Sequence, residues 1–331
     1  MNIFFVVINR LKCLITWGAL SLVRTMPYAM AMALGRAIGL AFWAADPFHR
    51  GIAEAQMRHA LGHAYRRGMS LRVFMNVSDS LIDIIRFARF KDGRALSMIR
   101  ISGQEHLEAA LADGRGIMFI TAHIGNWEMI FQISRLTGID LSIMADRRNN
   151  ADVESLIQQL RASGGTTVLP PKGGLIARLI GELEANRHVC IFVDKRGKRR
   201  NNFYSDFFGI PAPTSPVPAF IGLKTDCLVL PVYAIKNGGK HELCFGPSVE
   251  ARSFGTDVDI IDKLDDSRHS PAVQKLSDYM QGWVESVIRQ HPVQWIWQYP
   301  RWLHRSEMRH VLRSGIHLGQ YVEDQVRMPV Q

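Results

Sequence analysis

Apolar and polar positions alternate with two different periods along this chain. Ile117-Met118-Phe119-Ile120-Thr121 is a short, mostly apolar run between Gly116 and Gly125-Asn126, as expected for a buried strand bounded by turns. Val189 to Val193, ending at Asp194, has the same character. Ile99–Ser102, Asp140–Met144 and Leu228–Ala234 predict further strands, and Glu242–Phe245 an edge strand. Between these runs the period becomes helical: Trp127, Ile130, Phe131, Ile133 and Leu136 recur at that spacing, as do Val73, Val77, Leu81, Ile84 and Ile85. Helices are also predicted over His106–Ala112, Ala151–Ala162 (closed by Gly164-Gly165), Gly174–Ala185 and Pro271–Gln290, the last with a proline start. Residues 255–270 are acidic and irregular, a surface loop, and residues 306–331 show no firm pattern, a loosely held tail. The expectation is an α/β fold, a mixed central sheet covered by helices.

Residues 1–45 stand apart as the most apolar stretch, with Arg10, Lys12, Arg24 and Arg36 their only charges. Pro27 divides two helical pieces, the second from about Met26 to Ala45. No uncharged run reaches the roughly 20 residues that span a bilayer. A membrane-associated segment, spanning once or lying in the interface with its arginines snorkelling, is the expectation; a pair of buried helices is the alternative. A cleaved export signal is rejected, because it would leave three cysteines, an unpaired number, in an oxidising space.

Composition narrows the partners. The 331 residues are 47% hydrophobic, enough for a sizeable core, and the net charge of +10 favours acidic partners such as anionic lipid or an acidic protein. The four cysteines, at 13, 190, 227 and 244, form no C-x-x-C pair, which argues against a zinc or redox site. Neither a P-loop nor a G-x-G-x-x-G is present, and no nucleic-acid module accompanies the basic charge.

The chemistry centres on the end of the first buried strand. Strand carboxyl ends are where open α/β sheets gather their ligands. His123 stands there, and Glu128 falls in the first turn of the following helix. An imidazole oriented by a carboxylate is the base half of a nucleophilic triad, and with no serine or cysteine in the stretch the nucleophile becomes the substrate's own hydroxyl. A histidine that caps the helix, with a glutamate answering its dipole, is the structural alternative. Lys195-Arg196-Gly197-Lys198-Arg199-Arg200, at the end of another inner strand, carries five cations in six residues. It is either a solvated loop or a contact for phosphate or an acidic carrier.

His123-Ile-Gly-Asn-Trp-Glu128 resembles the H-x-x-N-W-E form of the H-x-x-x-x-[DE] motif of glycerolipid-type acyltransferases. With three later blocks it resembles the bacterial lipid A late acyltransferases, over roughly residues 20 to 305. Those blocks are Asp194 with Gly197, Phe207-Phe208-Gly209-Ile-Pro-Ala-Pro-Thr214, and His291-Pro-Val-Gln-Trp-Ile-Trp297, where Val293 replaces the family's glutamate. The family's R-x-x-x-N segment would start at Asp146 here, and Arg147 or Arg148 takes the place of its arginine. The resemblance implies a glycerolipid-acyltransferase-like fold, with residues 1–45 a membrane-associated segment, 46–305 the catalytic domain and 306–331 a tail. It implies transfer of a fatty acyl group from an acyl carrier protein thioester to a hydroxyl of a lipid A precursor, without metal or cofactor, on the cytoplasmic side of the inner membrane. Another glycolipid or a lysophospholipid as acceptor, or water in a thioesterase, are the alternatives. His123 is the implied base and Glu128 its orienting partner. Gly125, Asn126, Arg147, Arg148, Asp194, Arg196, Phe207, Phe208 and Gly209 are the implied substrate contacts. Phe207 and Phe208 either wall an acyl tunnel or buttress the floor of the active site, and backbone amides near Gly125 and the arginines are the candidates to receive the oxyanion.

Overall fold

The computed structural model describes residues 18, 21–87, 99–145, 154, 157–158, 161–162, 164–169, 173–197, 203–237, 240–257, 264 and 266–327. Arg147, Arg148 and Lys198 to Arg200 therefore lie outside the described residues.

Among them, eight strands build one sheet in the order β1-β9-β8-β2-β5-β3-β4, with β10 on β8. The strands are β1 (Ile99–Ser102), β2 (Ile117–Thr121), β3 (Leu141–Met144), β4 (Thr167–Leu169), β5 (His188–Phe192), β8 (Leu228–Asn237), β9 (Lys240–Phe245) and β10 (Val249–Glu250). β2, β3, β4, β5 and β8 run parallel, so their carboxyl ends share one rim; β9 runs antiparallel to β8, and β1 parallel to β9. β9 is thus interior, not the edge strand expected over Glu242–Phe245: β1 covers it from Ile99 opposite His241 to Ser102 opposite Cys244. β2 lies between β8 and β5, and all five of its residues are buried, which its unbroken apolar run demands. The separate hairpin of β6 (Tyr204–Phe207) and β7 (Ile210–Pro213) turns through Phe208 and Gly209, both with positive φ.

The helices are α1 (Tyr28–Ala45), α2 (Pro47–Leu61), α3 (Met69–Phe87), α4 (Gln104–Ala112), α5 (Ile133–Thr137), α6 (Leu175–Glu184), α7 (Val217–Thr225), α8 (Pro271–Gln290), α9 (Arg305–Ser314) and α10 (Leu318–Arg327). The helical pattern that opens at Trp127 begins as a 3₁₀ helix, Trp127–Gln132, before α5. Glu128 to Gln132 are all buried, so this turn has no solvent face to give it an amphipathic stripe. Residues 305–327, for which the pattern gives no element, form α9 and α10. Met308 and Val311, with Leu318 and Val322, are buried in them at the i, i+3 and i, i+4 spacings of an amphipathic face.

α1 is long and apolar enough to cross a membrane by length and composition. It packs along α3 so closely that a Cβ at Gly39 would stand 2.8 Å from Met75 Cα. Buried charges strengthen that seam. Tyr28 donates to Asp83 at 3.2 Å, Arg36 meets Asp79 at 3.4 Å, and Lys236 of β8 meets Asp83 at 2.8 Å. The outer face of α1 remains apolar and exposed, with Met30, Leu34, Ile38, Leu40 and Phe42 in solvent.

Candidate active site

His123 follows the last residue of β2 by two positions and is 7% exposed. Asp194, two residues past the end of β5, meets it across the parallel pair. The His123 backbone N–H donates to Asp194 Oδ2 at 2.8 Å, and the ring Nδ1 lies 2.8 Å from Oδ1. Trp295 adds a third bond, its Nε1–H donating to Oδ2 at 2.8 Å. Burial alone would raise the Asp194 pKa, but the opposite charge and hydrogen bonds of His123, with the Trp295 bond, bring it down to about 2. A carboxylate only accepts, so Nδ1 carries the hydrogen and the Nε2 lone pair is left over. Nε2 makes no hydrogen bond among the described residues. Phe192 and Trp127 hold the ring from either side at 4.5 and 5.4 Å between centroids.

The place expected for Glu128 is therefore occupied by Asp194. Glu128 turns to Arg161 instead: Nε and Nη2 of the guanidinium donate to its two oxygens at 2.9 Å each. Both side chains are buried, and the guanidinium carbon stacks 4.2 Å from the centre of Phe131. The 3₁₀ turn separates Glu128 from His123 by its geometry, and a buried carboxylate needs a full partner. Arg161 spends two nitrogens on this fork; its third, Nη1, is buried without a partner among the described residues.

His123, Glu128 and Arg161 line one cavity of about 900 Å³ with Lys195, Arg196, Thr214 and Ser215. The rest of its wall is largely apolar, including Met144, Leu175 and Leu179, Ile191, Val217 and Met280. A base, cations and a greasy chamber thus open on one space. Arg196 is half-buried, its backbone N–H donating to the Tyr299 hydroxyl at 3.3 Å.

Other predicted contacts sit elsewhere. The Gly125 N–H is taken by the Gln294 carbonyl at 2.9 Å, so it is not free to receive an oxyanion. A Cβ at Gly125 would stand 2.3 Å from the Ala234 carbonyl oxygen, which makes its requirement one of packing. Asn126 is 1% exposed, with both amide atoms unpartnered, and does not line the cavity. Phe207, Phe208 and Gly209 do not line it either. Phe207 packs on Trp302 and Trp295 at 5.4 and 5.8 Å, while Phe208 donates its N–H to Glu285 at 2.7 Å beneath Arg289. These aromatics buttress the floor of the site.

Residues without a predicted role complete it. Trp295, from the His291–Trp297 block, holds Asp194. Arg301 is fully buried and ties α8 to the β7 end: it donates to Pro213 O at 2.5 Å, Thr214 Oγ1 at 2.8 Å and Gln281 Oε1 at 3.0 Å. Burial lowers its pKa to about 10. The tryptophan block and its following arginine were legible as motif; Arg161, one arginine on a predicted helix, had no distinguishing signal.

Comparison with known proteins follows the same lines. The family described as bacterial lipid A biosynthesis acyltransferase matches residues 6–304. The chain belongs to that family. Individual relatives include a phosphatidylinositol mannoside acyltransferase of Mycobacterium tuberculosis, 29% identical over 206 residues, or 61% of this chain and 60% of the relative. One from Mycolicibacterium smegmatis is 25% identical over 224 residues, 67% of this chain and 68% of the relative. Within the family's matched span lie His123, Glu128, Arg161, Asp194 and Trp295.

Proposed function

We propose that this protein transfers a fatty acyl group from a thioester to a hydroxyl of a membrane glycolipid. The observation that carries the reading is His123: clamped through Nδ1 by the Asp194 carboxylate, it leaves Nε2 for a proton at the head of a largely apolar cavity. Nε2 takes the acceptor hydroxyl's proton as that oxygen bonds to the thioester carbonyl carbon. The tetrahedral intermediate then expels the thiolate, which leaves with the proton from the imidazolium. Arg161, held by Glu128, contributes positive charge to the cavity wall, where negative charge develops on the thioester oxygen.

The donor is an acyl carrier protein thioester, whose acidic surface suits Lys195, Arg196 and the net charge of +10. The acceptor is a lipid A precursor, as the family description suggests; the mycobacterial relatives, named for phosphatidylinositol mannoside, favour another glycolipid as the second reading. The catalytic body works at the inner membrane, on the cytoplasmic side where the thioester is made, and the apolar outer face of α1 supports this reading. Mass spectrometry of the glycolipids of a deletion strain tests this. Loss of one acyl chain, restored by the gene and not by its His123→Ala variant, is expected. An unchanged glycolipid profile, with no transfer by purified protein from acyl carrier protein thioester, rejects it.

A further inference from the structure

The family's match ends at residue 304, just before α9 begins. α9 places Arg305, Arg309 and Arg313 at i, i+4 and i+8, so the three line one side of the helix. Met308 and Val311, on another side, are buried. All three arginines are exposed, and among the described residues none of them forms an ion pair. Glu307, the acid of this helix, is spent at its start, accepting from the His304 N–H at 2.7 Å. Like charges one turn apart destabilise a helix, so the stripe stands against its own repulsion.

α2 sets the place of the stripe. Arg309 lies 5.1 Å over the Phe48 ring, and a Cβ at Gly51 would meet Leu312 at 3.0 Å. Residues 48 and 51 thus run alongside 309 and 312, and the two helices are parallel there. α1 ends at Ala45 and α2 starts at Pro47, so the first half of α9 lies beside the C-terminal end of α1. Arg50 ties that junction: its guanidinium is 4.9 Å over the Trp43 ring and donates to the Trp43 carbonyl at 3.3 Å. Trp43 and Phe48 are half-buried, and Phe42 beside them is 60% exposed. Two aromatic rings, each with an arginine on it, therefore join the apolar face of α1 to the arginine stripe of α9. Three residues past Arg313, Ile316 is another exposed large apolar side chain. Apolar face, aromatic border, then arginines is the order of groups that a membrane interface accepts: hydrocarbon first, headgroups next.

We propose that α9 is a second membrane contact, whose arginine stripe binds the phosphates of anionic lipids beside the apolar face of α1. This rests on the reading of α1 as the membrane-facing helix. α1 offers apolar contact that any bilayer satisfies; α9 adds the preference for an anionic one. A single helix leaves the catalytic body free to roll about its axis, and a second contact fixes which side meets the bilayer. Each arginine at an anionic surface strengthens partitioning about fivefold, and three together about 100-fold.

The experiment floats the full-length protein and its variants with vesicles of phosphatidylcholine alone and with rising fractions of phosphatidylglycerol. Wild-type binding should rise with phosphatidylglycerol, less steeply as salt screens the charges. Replacing Arg305, Arg309 and Arg313 together by Gln should remove about 100-fold of that rise and leave binding to phosphatidylcholine unchanged. Replacing all three by Lys should keep the rise. Arg305→Gln with Arg313→Gln, which leaves Arg309 on Phe48, should remove about 25-fold. An undiminished rise in the Gln variants rejects the proposal. An equal loss on both vesicle types rejects it too, because the arginines would then serve packing. A raised KM for acyl carrier protein thioester in detergent micelles, with vesicle binding unchanged, gives the stripe to an acidic protein and overturns the lipid contact. Phe42→Ser with Leu34→Ser separates the underlying reading, since it should lower binding to both vesicle types. A serine pair that floats like wild type, beside a Gln triple that does not, removes α1 and leaves α9 as the contact. A wild type that binds neither vesicle rejects both.

Discussion

Asp194 and Glu128 are both buried carboxylates beside the same cavity, yet their partners give them different work. Asp194 answers the imidazole; Glu128 answers a guanidinium. Asp194→Asn keeps the shape but loses the charge and offers His123 the wrong donor or acceptor. Acyl transfer should drop in kcat by about 10²–10⁴-fold with the fold intact by circular dichroism, the upper end being the loss that aspartate-to-asparagine exchange causes in a serine-protease triad. The His123→Ala, Asp194→Asn double variant should be hardly worse than His123→Ala, because residues acting as a unit are not additive. Multiplicative losses would show that the two act independently. Glu128→Gln differs in kind: it strands the buried Arg161 charge, and breaking such a pair costs about 3–5 kcal/mol. Thermal unfolding should detect that loss, and an unchanged Tm would remove Glu128 from the structural role assigned to it.

The pH dependence belongs to the same scale. The folded Asp194 pKa of about 2 lies below the ordinary value of an unfolded aspartate, about 3.9. Its contribution to stability is therefore complete above that ordinary value and is lost as pH falls toward 2. Across the range where activity is measured Asp194 stays ionised, and acid unfolding should show a contribution lost between about pH 4 and 2 that Asp194→Asn removes.

At the scale of elements, α1 and the α9–α10 pair are the parts whose role depends on what they pack against. α1 combines an exposed apolar face with a seam against α3 too close for a side chain at Gly39. Gly39→Leu should therefore push α1 off α3 and lower the Tm, whereas Phe42→Ser and Leu34→Ser, on the exposed face, should change stability by no more than about 0.5 kcal/mol. The serine pair should nonetheless weaken pelleting with liposomes of anionic lipid. Undiminished pelleting would move the membrane contact away from this helix. α10 packs on α2, where Gly319 closes on the ring of His59, with atoms of that ring 3.0 Å from a Cβ there. His59 in turn approaches the Phe208 carbonyl at 3.2 Å. A chain ending at Ser314 should lose stability together with the order of the β6–β7 hairpin.

For the whole molecule, the sheet gathers functional groups from distant points of the sequence. β2 and β5 are adjacent and parallel, which brings His123 and Asp194, 71 residues apart, into contact at one rim. Lys195 and Arg196, the next two residues, line the same cavity. Neutralising both to Gln should raise the KM for acyl carrier protein thioester and flatten its salt dependence, while kcat changes less, because the charges steer a large acidic donor. An unchanged KM for the carrier-bound donor would leave them a solvated rim.

The sequence by itself determined the strands and helices whose burial is one-sided or complete. The five mostly apolar residues of β2 admit no other element between their turns, and the proline start and apolar spacing of α8 mark Pro271–Gln290 to the residue. It also determined His123, because a histidine at a strand's end before a glycine turn is a local pattern. What only the tertiary structure decided is who stands next to whom. The H-x-x-x-x-E spacing suggested that Glu128 folds back to His123, since sequence neighbours are the only neighbours a motif can show. Strand order instead put β5 beside β2 and gave the imidazole Asp194, while the 3₁₀ turn delivered Glu128 to Arg161. Phe207 and Phe208 were legible as a fixed aromatic turn, but whether they faced a cavity or a tryptophan cluster depended on where the hairpin docked. Trp295 and Arg161 came from segments 101 and 33 residues from the carboxylates they bind, and a hydrogen bond across such a separation leaves no period in the chain.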